Sequence, residues 1–140
     1  MNKDKILIAM SGWVDSSVAA ALLKDQGHDV VGVFLKFWSD SKCTTNKENT
    51  CCNYQALLSA RQVANQLEIP FYVLDASKVF KKQVVDYYIS EYDAGLTPNP
   101  CVMCNKFVKF GWLLDQAKKL GCEKLATGHY ARCKAPTRIN

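Results

Sequence analysis

The chain has 140 residues, 49% of them hydrophobic and 22% charged, which is the size and composition of one globular domain with a real core. No apolar run approaches the roughly 18 residues needed to cross a bilayer, and the N-terminus lacks a signal peptide's long hydrophobic region, so a cytoplasmic protein with no membrane partner is expected. The net charge of +5 is compatible with a polyanionic partner without demanding one, and seven clustered cysteines argue for reactive or metal-binding thiols over a secreted disulfide framework.

Taken in chain order, the pattern alternates β and α. Residues 6–10 are predicted as a first strand and 16–25 as a helix, with Gly27-His28 as the turn between it and the next strand. Residues 30–35 form an almost unbroken apolar run, as a strand buried on both faces requires. Residues 39–52, polar and carrying Cys43, Cys51 and Cys52, are expected to make an excursion over the surface. Residues 54–67 have helical apolar spacing, and Pro70 introduces a third strand at 71–74. A helix is predicted over 79–92, with Val79, Phe80, Val84, Tyr87 and Tyr88 on its buried side. Pro98 and Pro100 make 95–100 an extended loop. A further helix is predicted at 107–120 and a fourth strand at 124–127, leading into Gly128-His129-Tyr130.

Strands separated by helices imply an α/β fold, a doubly wound parallel sheet with helices on both faces. Ligands of such sheets collect outside the carboxyl ends of the strands. Three segments emerge there and are expected to line one site: residues 11–17, the stretch after Leu35, and residues 127–130.

The first of these, Ser11-Gly12-Trp13-Val14-Asp15-Ser16-Ser17, joins a strand to a helix start. Amides at a helix start lack partners and carry the positive end of the macrodipole, so an anion is stabilised there. Asp15 and Ser16 are expected to cap the helix, and Ser11, Ser16 and Ser17 add hydroxyl donors. The loop matches neither Gly-x-x-x-x-Gly-Lys-[Ser/Thr] nor Gly-x-Gly-x-x-Gly. Trp13 is discordant in a phosphate cradle. A positive φ there would strain it by about 1–3 kcal/mol, and the indole would obstruct close approach unless it packs away on the helix or sheet.

In Thr97-Pro98-Asn99-Pro100-Cys101-Val102-Met103-Cys104-Asn105, a rigid loop ends at a thiol near a helix start. The helix end can lower the thiol pKa while the prolines hold the approach, so Cys104 is a candidate nucleophile. Cys101 and Cys104 also have the spacing of half a Zn2+ or iron–sulfur site, to be completed by Cys43, Cys51 or Cys52. Cys122 follows a helix-ending glycine, and Cys122, His28 and His129 are expected to be structural.

The first loop resembles the Ser-Gly-Gly-x-Asp-Ser loop of the PP-loop ATP pyrophosphatases, which cleave ATP between the α and β phosphates. Together with the 97–105 segment, Lys106-Phe107-Val108-Lys109-Phe110-Gly111 and Ala126-Thr127-Gly128-His129-Tyr130-Ala131-Arg132, it makes the chain similar to the tRNA-specific 2-thiouridylases from Lys5 to about Arg132. That resemblance implies an adenine-nucleotide α-hydrolase-like domain and a transferase that adenylates the C2 oxygen of the wobble uridine of tRNA. A persulfide sulfur then displaces AMP to leave 2-thiouridine. The implied cofactors are ATP and Mg2+, and the implied partners are tRNA and a persulfide sulfur donor protein.

Carried over by position, Ala9, Met10, Ser11, Gly12, Trp13, Val14, Asp15, Ser16, Leu35 and Gly128 would hold ATP. Asn99, Pro100 and Cys101 would lie beside the target base. Cys104 would be the first catalytic cysteine, freeing the sulfur by forming a disulfide with a second one. Lys106 and Lys109 are candidates for the tRNA backbone or for a solvated helix face. The family's second cysteine and its tRNA-binding and β-barrel regions lie downstream of the last matched motif. Residues 1–140 are therefore expected to be the PP-loop domain alone, the N-terminal part of a thiouridylase. The rivals are another class of PP-loop pyrophosphatase and an inactive nucleotide- or RNA-binding remnant.

Overall fold

The computed structural model describes residues 4–37 and 54–131. The expected excursion at 39–52, with Cys43, Cys51 and Cys52, lies outside the described residues, as does Cys133. The elements are β1 (Lys5–Ala9), α1 (Val14–Asp25), β2 (Asp29–Lys36), α2 (Tyr54–Gln66), β3 (Phe71–Asp75), α3 (residues 77–93), α4 (residues 100–119) and β4 (Lys124–Ala126). α3 is wound as a π-helix over Lys81–Val85, and α4 over Cys104–Trp112.

The four strands are all parallel, in the order β3-β2-β1-β4. Leu7 of β1 stands beside Val31 of β2 on one side and Leu125 of β4 on the other. The central strands β1 and β2 are apolar because both their faces are covered. Side chains alternate across the sheet. Ile8, Met10, Val30 and Phe34 pack with Ala20 of α1 and Ala60 and Ala64 of α2. Those three alanines are fully buried, which lets both helices lie close to the strands. Leu7, Val31, Val33 and Leu35 share the opposite layer with Val84 of α3 and Val108, Leu113 and Ala117 of α4. This is the predicted doubly wound sheet.

The chain winds from β1 through β2 to β3 in one direction, while β4 lies on the other side of β1. Connections therefore diverge above the carboxyl ends of β1 and β4, where such sheets open a crevice for ligands.

Three local expectations are corrected. α1 begins at Val14, not at residue 16, so Asp15 and Ser16 lie inside its first turn and Trp13 is the N-cap, with no side-chain cap bond. α4 begins at Pro100, seven residues before the predicted 107. Asn99 accepts the Val102 amide proton on Oδ1 at 3.2 Å, and Pro100 takes the first helical position, where its missing N–H costs nothing. Tyr88, expected inside, is exposed and stacks on Tyr92 with ring centroids 6.0 Å apart.

Candidate active site

A cavity of about 320 Å³ opens at the carboxyl ends of β1, β2 and β4. Its polar side is the loop between β1 and α1. The Ser16 hydroxyl, 4% exposed, donates to the Trp13 carbonyl at 3.2 Å. With its own proton used there, Ser16 Oγ accepts from the Ser11 amide and from the Ser11 hydroxyl, each at 3.1 Å. Ser17 Oγ also donates to the Trp13 carbonyl, at 2.9 Å. The serines thus close the loop upon itself at the start of α1, where helix amides lack intrahelical partners.

The conformational burden of this loop falls on Gly12. Its φ is +83°, and a Cβ there would lie 2.1 Å from the Ala56 carbonyl oxygen. Trp13 is extended, with φ −108° and ψ 170°, so the strain considered for it is absent. Its ring is not packed away either: Trp13 is 67% exposed and lies on the cavity rim.

The segment after β4 packs directly against this helix start. A Cβ on Gly128 would lie 2.8 Å from the Ser16 amide nitrogen, so only glycine lets this backbone rest on the first turn of α1. Tyr130 donates its hydroxyl proton to Asp15 Oδ1 at 2.7 Å, and this bond, with the Asp15 charge, raises the phenol pKa. His129 pairs through Nδ1 with Thr127 Oγ1 at 2.8 Å and faces the Phe110 ring of α4 at 5.4 Å. Desolvation first, and the Lys109 charge second, lower the His129 pKa. Thr127, Gly128, His129 and Lys109 all line the cavity.

The remaining wall is apolar: Val33, Phe34, Leu35 and Phe37 at the end of β2, and Ala56 of α2. Phe37 is braced by Phe80 of α3, ring centroids 4.8 Å apart. An amide and hydroxyl cradle at one end and an aromatic and aliphatic wall at the other suit a molecule with an anionic and a flat apolar part.

The three predicted segments do converge. Ala9, Met10, Ser11, Trp13, Asp15, Ser16, Leu35 and Gly128 line the cavity. Gly12 and Val14 do not: Gly12 lies under Ala56, and Val14 is exposed. Asn99, Pro100, Cys101 and Cys104 are also outside the lining. Cys101 is exposed, whereas Cys104 is buried in the core layer that includes Val33 and Leu35, two residues that also line the cavity. Cys122 is buried, and that burial pushes its thiol pKa up. Phe37 falls in the stretch after Leu35 expected to line the site, whereas Val33, Phe34 and Ala56 were not expected there, although their place near the end of β2 or facing it from α2 was the available signal.

Among the described residues, no three His, Cys, Asp or Glu side chains are grouped to hold a metal ion, and the cysteines expected to complete Cys101 and Cys104 lie outside them. No described helix is long and apolar enough to cross a membrane.

Comparison with known proteins agrees with this architecture. The family model described as "tRNA methyl transferase HUP domain" matches residues 4–139. The tRNA-specific 2-thiouridylase MnmA 2 of Clostridium tetani is 54% identical over 129 residues, which is 92% of this chain and 36% of that protein. The tRNA-specific 2-thiouridylase MnmA of Clostridium perfringens is 52% identical over 132 residues, 94% of this chain and 37% of that protein. Among solved structures, the U34-tRNA thiolase NcsA of Methanococcus maripaludis with its [4Fe-4S] cluster has a TM-score of 0.59 at 20% identity, covering 92% of this chain and 39% of that one. The glutamine-dependent NAD+ synthetase of Acinetobacter baumannii, in complex with ADP, also reaches 0.59, at 16% identity, over 86% of this chain and 21% of that one. Both solved structures share the fold. The chain spans little more than a third of the curated relatives it matches, and it belongs to the tRNA methyl transferase HUP-domain family.

Proposed function

We propose that this chain is the ATP-activating domain of a tRNA-uridine 2-sulfurtransferase. The observation that carries the proposal is the cavity itself: a serine-closed loop at a helix start, Gly128 resting on that helix start, and an apolar wall beside both. The likeness to 2-thiouridylases at 52–54% identity supports this reading.

The residues fit ATP. Amides of the first turn of α1 and the Ser11 and Ser16 hydroxyls would take the phosphates, and the wall from Val33 to Phe37 would take the base. Asp15 is the carboxylate among the described lining residues and would meet a magnesium ion carried in with the nucleotide. A bound ATP would supply the α-phosphorus for activation of the uridine C2 oxygen, with pyrophosphate as the leaving group, and the activated C2 would then accept sulfur with loss of AMP.

Asn99, Pro100 and Cys101 form the exposed entry to α4 and would lie beside the target base. Cys104, one turn further along, would free the sulfur by forming a disulfide with the second catalytic cysteine, which bears it as a persulfide. Because Cys104 is buried, residues 100–103 must move before a partner sulfur can reach it. The downstream tRNA-binding regions and a persulfide donor protein belong to the same proposal, as does a cytoplasmic location, where tRNA would be met.

The test is the nucleoside composition of tRNA from the host organism carrying Cys104→Ser at this locus. Loss of 2-thiouridine from digested tRNA is expected. An unchanged level would contradict the proposed role of Cys104.

A further inference from the structure

The loop proposed to cradle the phosphates brings no cation of its own. Between Ser11 and Ser17 the only charged residue is Asp15, whereas a P-loop carries a lysine that reaches the phosphates. Among the described residues, the Asp, Glu, Lys and Arg side chains that line the cavity are Asp15 and Lys109 of α4. Resting on the nucleotide site proposed above, we propose that Lys109 is the phosphate-neutralising residue of this cavity.

Several observations support it. Lys109 and Lys106 had equal standing in the sequence, both as candidates for a tRNA backbone. The fold separates them: Lys109 lines the cavity, while Lys106 lies outside it with its ammonium 5.0 Å from the Phe107 ring centroid. Among the described residues Lys109 makes no ion pair, so its charge is available. The other group that could be positive, His129, is kept towards its neutral form by desolvation and by Lys109 itself. The neighbouring Phe110 meets the His129 ring at 5.4 Å, which holds this stretch of α4 against the segment carrying Gly128.

The winding of α4 contributes as well. Residues five apart on an α-helix point about 140° away from each other. In a π-helix, i→i+5 bonding brings them one above the other. Cys104 and Lys109 are five apart and lie in the π-helical stretch Cys104–Trp112. One helix therefore presents both the thiol and the cation towards the same region, where Val33 and Leu35 are common to the core around Cys104 and to the cavity wall.

The experiment is titration of ATP with magnesium into the 140-residue chain at several salt concentrations, with Lys109→Gln, Lys109→Arg and Lys106→Gln in parallel. Lys109→Gln is expected to weaken ATP binding about tenfold or more and to flatten its salt dependence. Lys109→Arg should retain most of both, and Lys106→Gln should match the wild type. Wild-type affinity in Lys109→Gln, or weakening with an unchanged salt slope, would overturn the proposal while leaving the nucleotide site standing. A wild-type chain that binds no ATP overturns the nucleotide site and this proposal with it.

Discussion

Tyr130 donates its hydroxyl proton to Asp15 across 2.7 Å, tying the segment after β4 to the first turn of α1. The bond needs the protonated phenol, so the Tyr130 pKa is raised above its usual value, first by this hydrogen bond and then by the carboxylate charge. A raised folded-state pKa contributes stability that is fully present below the unfolded value and is lost as pH rises through the folded one. Carbon-13 NMR of the tyrosine rings should therefore show Tyr130 titrating late. Asp15→Asn should return it towards the ordinary range, and an unaltered titration would disprove the contact.

Glycine substitutions should separate the two glycines of the site from the tryptophan between them. Gly12→Ala forces a Cβ into the Ala56 carbonyl at a positive φ, and should cost about 2–4 kcal/mol in urea unfolding. Gly128→Ala meets the Ser16 amide and Asp15 and should cost about 1–3 kcal/mol. Trp13→Gly removes an exposed side chain from an unstrained N-cap and should stay within about 0.5 kcal/mol of wild type. A large loss on Trp13→Gly, with Gly12→Ala tolerated, would reverse this assignment.

Thiol accessibility should follow burial. Cys101 is exposed, while Cys104 and Cys122 are buried. Alkylation by iodoacetamide, followed by peptide mass spectrometry, should modify Cys101 well before the other two. If residues 100–103 move during sulfur transfer, adding tRNA and ATP to a chain competent for the reaction should speed Cys104 labelling and leave Cys122 slow. Equal rates at Cys101 and Cys104 in the free protein would contradict the buried thiol.

His129 provides a pH test with the opposite sign. Its pKa is lowered, first by desolvation and then by Lys109. A depressed folded-state pKa favours the neutral ring, so the contribution to stability is present above the ordinary histidine value and lost as pH falls through the folded one. Proton NMR of the imidazole should show this low pKa, and Lys109→Gln should raise it part of the way back. No response to Lys109→Gln would remove Lys109 from the neighbourhood of the ring.

The architecture was legible because buried parallel strands are written as continuous apolar runs, as at 30–35, and because alternating strands and helices leave few topologies. The convergence of 11–17, the end of β2 and 127–130 followed from that topology. Local details were less legible because one residue type serves opposite ends. Pro100 reads as a helix breaker, yet with Asn99 as cap it is a helix starter. Trp13 looked strained until Gly12 proved to carry the positive φ. The burial of Cys104 and the approach of Lys109 to the cavity depend on packing between segments distant in sequence, and no local pattern records such packing.

The central claim is that ATP binds where the loop at 11–16 meets Gly128. Amide NMR of the chain during titration with ATP and magnesium tests it most directly. Saturable shifts centred on Ser11, Gly12, Asp15, Ser16 and Gly128, with smaller ones at Leu35 and Phe37, are the expected result. Shifts centred elsewhere, or none at all, would contradict it.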